Sequence, residues 1–203
     1  DVYKRQVHTP IEGKPELVEK YQRKIASESP GNHVNPYMAA MVESMDENVG
    51  RVLARIEDLG LRDRTIVVLT SDNGGFIGRC KLNPDLQVTS NAPLRSGKGS
   101  CYEGGIRVPM MIRGPNTMAN YERSEMVYTC DLYPTLLALA GVSDRIEQRL
   151  DGIDLSLLLT NRNASLERDT LYFHYPHYYG TTTPVSAIRE GDWKLLEYFE
   201  DGR

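Results

Sequence analysis

Thr65-Ile66-Val67-Val68-Leu69-Thr70-Ser71-Asp72-Asn73-Gly74-Gly75 carries a strand and, at its end, a cluster of functional groups. Its first six residues form an apolar, β-branched run, the pattern of a strand buried on both faces of a parallel sheet. The run stops at a carboxylate, an amide and two glycines. In open parallel sheets, ligands bind outside the carboxyl ends of the strands, so Asp72 and Asn73 stand where a site is expected. Neighbouring side chains on a strand point oppositely; the glycines release the chain from strand geometry and let both reach one ion. Asp and Asn oxygens suit a hard cation, Ca²⁺ or Mg²⁺, over zinc. Taken alone, the motif reads as readily as an ordinary Asp-Asn-Gly turn.

Upstream, the periodicity predicts a helix over 36–59 with Met38, Met41, Val42, Met45, Val49, Val52, Leu53, Ile56 and Leu59 on one face and Gly60 as its stop. Those methionines are core residues on this reading, and Asp46, Glu47, Arg51, Arg55 and Asp58 form a solvated face. A shorter amphipathic helix is predicted over 15–25, with Pro15 in its first turn. Downstream, 108–113 reads as a second buried parallel strand, stopped by Gly114-Pro115, and 128–140 as a helix closed by Gly141. Strands follow at 171–175, 185–189 and 193–199, the last two joined through Glu190-Gly191-Asp192. Helix and parallel strand dominate to about residue 142, and antiparallel strands follow from about residue 170. The fold class is therefore α/β, a parallel-sheet core followed by a small antiparallel β-rich annex.

Composition excludes two classes of partner. Lys plus Arg number 24 against 28 Asp plus Glu, a net charge of −4, so there is no electrostatic footprint for nucleic acid. No apolar run approaches the roughly 20 residues of a membrane-spanning helix. The three cysteines, Cys80, Cys101 and Cys130, lack metal-ligand spacing and read as free thiols, with Cys80–Cys101 the one pairing left open.

A second glycine-rich segment, Ala92-Pro93-Leu94-Arg95-Ser96-Gly97-Lys98-Gly99-Ser100, sets a lysine between two glycines. Its ammonium offers a point charge to an oxyanion, and glycine lets a ligand approach the backbone. The segment is not a P-loop, because G-x-x-x-x-G-K-[ST] is absent. Glu103 and Arg107 are expected to pair and hold the following turn. His174-Tyr175-Pro176-His177-Tyr178-Tyr179 combines aromatics with imidazoles, which suits a sugar ring, and reads equally as an exposed edge loop. His33 reads as plain surface.

Ser71-Asp72-Asn73-Gly74, Leu94-Arg95-Ser96-Gly97-Lys98-Gly99 and Tyr102-Glu103-Gly104-Gly105-Ile106-Arg107-Val108-Pro109 together resemble, in order and spacing, the type I sulfatases, whose fold is shared with alkaline phosphatase. Val7-His8-Thr9-Pro10, Asp131-Leu132-Tyr133-Pro134-Thr135-Leu136 and Ile188-Arg189-Glu190-Gly191-Asp192-Trp193-Lys194-Leu195 are similar to further elements of that family, so the likeness runs from about residue 7 to the end. The resemblance implies that Asp72 and Asn73 are two ligands of a Ca²⁺, that Lys98 contacts sulfate, and that His8 contacts it near the leaving-group oxygen. His174 and His177 fall in a segment that lines the substrate pocket in such enzymes. It implies a sulfated small molecule or glycan as substrate and hydrolysis by a formylglycine nucleophile. That nucleophile arises within C/S-x-P/A-x-R, and neither this motif nor the family's strand-end Asp-Asp occurs in the chain.

The expected division is a leader foreign to the domain at 1–6, the C-terminal part of the α/β core at 7–150, and a linker with the start of a β-rich subdomain at 151–203. The chain thus reads as part of a longer sulfatase holding half an active site and inactive alone. Two other classes stay open: a phosphodiesterase or phosphotransferase of the alkaline phosphatase superfamily, and a non-catalytic sulfatase-like binder.

Overall fold

The computed structural model describes residues 7–8, 10–28, 31, 33–81, 83–142 and 147–200; the expected leader at 1–6 lies outside them. Helices α1 (Pro15–Ser27) and α2 (Pro36–Asp58) open the fold and pack on each other. Pro begins both helices, where its missing N–H costs nothing. Asn35 caps α2: its side-chain oxygen accepts from the Tyr37 and Met38 amides at 3.0 and 3.1 Å. Its Nδ2 donates to the Gln87 carbonyl, which ties the start of α2 to the loops beyond β1.

Strands β1 (Val67–Thr70) and β2 (Met110–Arg113) form a two-stranded sheet in which Val67 faces Arg113 and Thr70 faces Met110. This corrects one expectation. The two strands run antiparallel to each other, not parallel, and neither is buried on both faces: Leu69 and Met111, cross-strand partners, are 38% and 59% exposed. A β-branched run reports affinity for a sheet interior, not strand direction. Direction is set by the connection. The excursion 71–109 carries one short helix, α3 (Glu103–Ile106), just before β2, and returns to the end of the sheet where β1 stopped. Everything between the strands therefore collects at the carboxyl end of β1.

Helix α4 (Leu132–Leu139) follows a 3₁₀ turn at Thr129–Asp131, and α5 (Ser156–Thr160) packs against it. Asp131 is completely buried at this junction. Its carboxylate takes both arms of the Arg168 guanidinium at 2.6 and 2.7 Å and the amides of Tyr128 and Ile153 at 2.9 and 2.8 Å. Thr135, also fully buried, donates to the Asp131 carbonyl and accepts from the Leu155 amide. One carboxylate thus joins three separated segments.

The annex forms as expected. Strands β3 (Thr170–Tyr175), β4 (Val185–Glu190) and β5 (Trp193–Tyr198) make an antiparallel sheet in chain order, with Gly191 at φ +52° in the two-residue turn between β4 and β5. Its inner face puts Phe173, Tyr175, Leu196 and Tyr198 around buried Cys101, Val185 and Ala187. Among the described residues no helix is long and apolar enough to cross a membrane.

Candidate active site

The 71–109 excursion is knitted into one unit by backbone bonds. After β1, Ser71 Oγ donates to the Asn73 carbonyl at 2.8 Å, turning the chain so that Asp72 is exposed and Asn73 half-buried. The Gly74 amide donates to Gly105 O at 2.9 Å, and the Lys98 amide to Gly75 O at 3.1 Å. Asn91 bridges the rest: it accepts from the Gly75 amide and donates to the carbonyls of Gly75 and Ser96. The approach is so close that a Cβ on Gly74 would lie 1.9 Å from the Gly104 carbonyl oxygen. The glycines allow three loops to stack backbone to backbone. The Asp72-Asn73 turn and Lys98 are therefore neighbours at one edge of the sheet.

His8 is exposed in an irregular stretch. Three residues on, Ile11 is buried with Cys80 and Val88 of the same excursion. His33 is exposed, in keeping with a surface role. His174 and His177 part company. His174 lies on the outer face of the annex sheet, with Nδ1 2.8 Å from Ser186 Oγ and its ring beside Phe199. His177 follows the end of β3, stacked edge-on against Tyr175 and next to the turn that touches Gly99. All three cysteines are free, with Cys80 and Cys101 buried.

The sequence underestimated how firmly the annex grips this unit. Glu103 pairs with Arg107 only at 4.0 Å; its close partners are Lys194 Nζ and Arg189 Nη1, the latter at 3.4 Å, from β5 and β4. Lys194 also donates to the Cys101 carbonyl at 3.1 Å. These partners lie some ninety residues apart in the chain, so no local pattern signals them.

Burial alone would raise the Glu103 carboxyl, but the bond from Lys194 and the charges of Lys194, Arg189 and Arg107 outweigh it and hold it below its ordinary value. A depressed carboxyl stabilises the fold above its unfolded pKa, about 4.3 for Glu, and that contribution is lost as pH falls through the folded value. Glu103→Gln is therefore expected to cost about 1–2 kcal/mol near pH 7, and to narrow towards wild type below pH 4. Urea unfolding at a series of pH values checks this; a cost constant with pH would contradict it.

Asp72 and Asn73 are hard oxygen donors in one turn, which fits part of a Ca²⁺ shell. They are not a complete set: among the described residues no group of three or more His, Cys, Asp or Glu converges to hold a metal.

The Sulfatase family model matches residues 3–142, and the model described as N-sulphoglucosamine sulphohydrolase, C-terminal, matches residues 97–203. The chain is 34% identical over 215 residues to a sulfatase of Formosa agariphila, covering 96% of this chain and 37% of that protein. It is 37% identical over 167 residues to human arylsulfatase A, covering 82% of this chain and 31% of the relative. The crystal structure of Ps i-CgsB in complex with k-i-k-neocarrahexaose superposes with a TM-score of 0.72 at 34% identity, over 93% of this chain and 38% of that one. The chain thus spans between three and four tenths of the length of these relatives. With an alkaline-phosphatase-like α/β architecture and two matching family models, the chain belongs to the sulfatase family.

Proposed function

We propose that this chain is the C-terminal part of an enzyme that hydrolyses sulfate esters of carbohydrates, and that the 71–109 excursion supplies the metal-binding and sulfate-binding half of its site. The observation that carries the reading is the bond from the Lys98 amide to Gly75 O, which couples the sulfate-contacting lysine to the cation-binding turn. Asp72 and Asn73 would hold a Ca²⁺ through their oxygens, leaving its other ligands to the rest of the protein. The ion, when bound, supplies positive charge against the sulfuryl oxygens. Lys98 adds an ammonium to the same oxygens, where charge redistributes in the transition state. His8 holds or donates a proton at the leaving alkoxide. His177, two residues before the Tyr179 that packs on Gly99, would meet the sugar, whereas His174 sits on the sheet face away from the Lys98 loop.

Two further observations support a longer protein. Val42, Met45, Val52 and Leu59 leave much of the apolar stripe of α2 uncovered, although the sequence reads it as core. Leu69 and Met111 likewise present an apolar pair on one face of the small sheet. A larger sheet packed on these surfaces covers both. The nucleophile, expected as formylglycine, would come from that remainder. A glycan substrate is supported by the carbohydrate bound to the similar protein Ps i-CgsB.

The test is release of inorganic sulfate from a sulfated oligosaccharide and an aryl sulfate by the complete protein, with an aryl phosphate as control. Sulfate release well above phosphate release is expected. The reverse preference would select a phosphatase relative, and no release of either would select the binder. The 203-residue chain alone is expected to release none, because C/S-x-P/A-x-R is absent from it.

A further inference from the structure

We propose that Thr181, in the turn between β3 and β4, is a positioning residue that fixes Lys98 in the sulfate site; this rests on Lys98 facing sulfate as proposed above. Lys98 lies between Gly97 and Gly99, so its own neighbours do little to restrain it, and Gly99 sits at φ +87°. A flexible four-carbon stem on such a loop is a poorly aimed charge. Transition-state stabilisation needs that charge in place beforehand.

The structure restrains Lys98 through both polar atoms of its main chain. Its amide donates to Gly75 O at 3.1 Å, within the unit that carries Asp72 and Asn73. Its carbonyl accepts from Thr181 Oγ1 at 2.8 Å, from 83 residues further along. The first bond belongs to the excursion itself; the second comes wholly from the annex.

The turn that offers Thr181 is itself stiff. Tyr179 and Thr182 exchange N–H···O bonds of 3.0 Å in each direction. The Tyr179 ring fills the space beside Gly99, 2.1 Å from where a Cβ would be, so the loop and the turn fit only with glycine at 99. On the far side of the loop, the pairs of Glu103 with Lys194 and Arg189 and the burial of Cys101 against Val185 and Ala187 fix the annex to residues 101–103. Thr181 thus donates from a platform held to the chain just after the lysine, at Gly99 and again at residues 101–103. Its hydroxyl is spent on the Lys98 carbonyl, so it acts through Lys98.

The experiment uses the complete protein with an aryl sulfate. Thr181→Val removes the donor while keeping the shape. It is expected to lower kcat by about 10–10²-fold, the scale of a small misplacement of a catalytic group, with a smaller change in KM. Thr181→Ser is expected to restore the rate. In a Lys98→Ala background, Thr181→Val is expected to cost nothing further, because it acts through the lysine. Backbone amides at 97–100 should exchange with solvent faster in Thr181→Val and not in Thr181→Ser. If Thr181→Val does not fold, Thr181→Ala carries the same comparisons. Wild-type kcat in Thr181→Val, or an equal loss from it with and without Lys98, overturns the positioning role while leaving the Lys98 assignment intact. Wild-type kcat in Lys98→Ala overturns the assignment and the positioning role together.

Discussion

Lys98→Ala in the complete protein is expected to lower turnover of a sulfate ester by about 10²–10³-fold, the usual cost of one lost oxyanion stabiliser. The fold should survive, because the bonds that organise this loop are made by the Lys98 amide and carbonyl, which alanine keeps. The loss should therefore appear in kcat with an unchanged unfolding midpoint. Lys98→Arg is expected to recover only part of the rate. A planar guanidinium is not interchangeable with a compact ammonium, and the turn at Gly99 is filled by the Tyr179 ring. Steady-state kinetics with urea unfolding in parallel checks both points. Turnover within threefold of wild type would remove Lys98 from the site.

The second large effect is on stability. Asp131→Ala is expected to cost about 3–5 kcal/mol, because it strands the Arg168 guanidinium in the interior without its counter-charge. The side chains of the pair are 0% and 7% exposed, so water can replace little of what is lost. The Ile153 and Tyr128 amides lose their acceptor as well, loosening the strap at 151–155 that packs α5 on α4. The strap sits close: a Cβ on Gly152 would be 2.0 Å from the Cys130 carbonyl oxygen. By contrast Asp154, exposed and bonded only to Ser156, should cost about 1 kcal/mol as alanine. Equilibrium denaturation compares the two. A cost below 1 kcal/mol at Asp131 would mean that the interior rearranges to hydrate Arg168.

What could be read from the sequence, and what could not, divides by the range of the interaction. Helices α1 and α2 and strands β3 to β5 follow from periodicity, capping and turn residues, all local signals, and each falls within a few residues of its expected bounds. The Asp72-Asn73 and Lys98 segments are legible because each is short, glycine-rich and contiguous. Strand direction was not legible, since an apolar run such as 65–70 is the same in either orientation. Nor was the role of Asp131, which falls inside the helix predicted over 128–140; its distant partners are 22 and 37 residues away. Glu103 shows the same bias. The i,i+4 partner Arg107 was in view, while Lys194, 91 residues away, makes the closer pair. Thr181 had no signal at all, because a threonine among three threonines in a turn carries no pattern.

The most direct measurement is calorimetric titration of the complete protein with Ca²⁺, comparing wild type, Asp72→Ala and Lys98→Ala. Loss of a metal's outer partner alone costs 10–100-fold in affinity, so loss of the charged ligand oxygen of Asp72 should weaken Ca²⁺ binding by at least about tenfold. Lys98→Ala should leave it unchanged or slightly tighter, since the ammonium meets sulfate and not the ion. Wild-type Ca²⁺ affinity in Asp72→Ala would contradict the assignment of the turn after β1 as the metal-binding half of a sulfatase site.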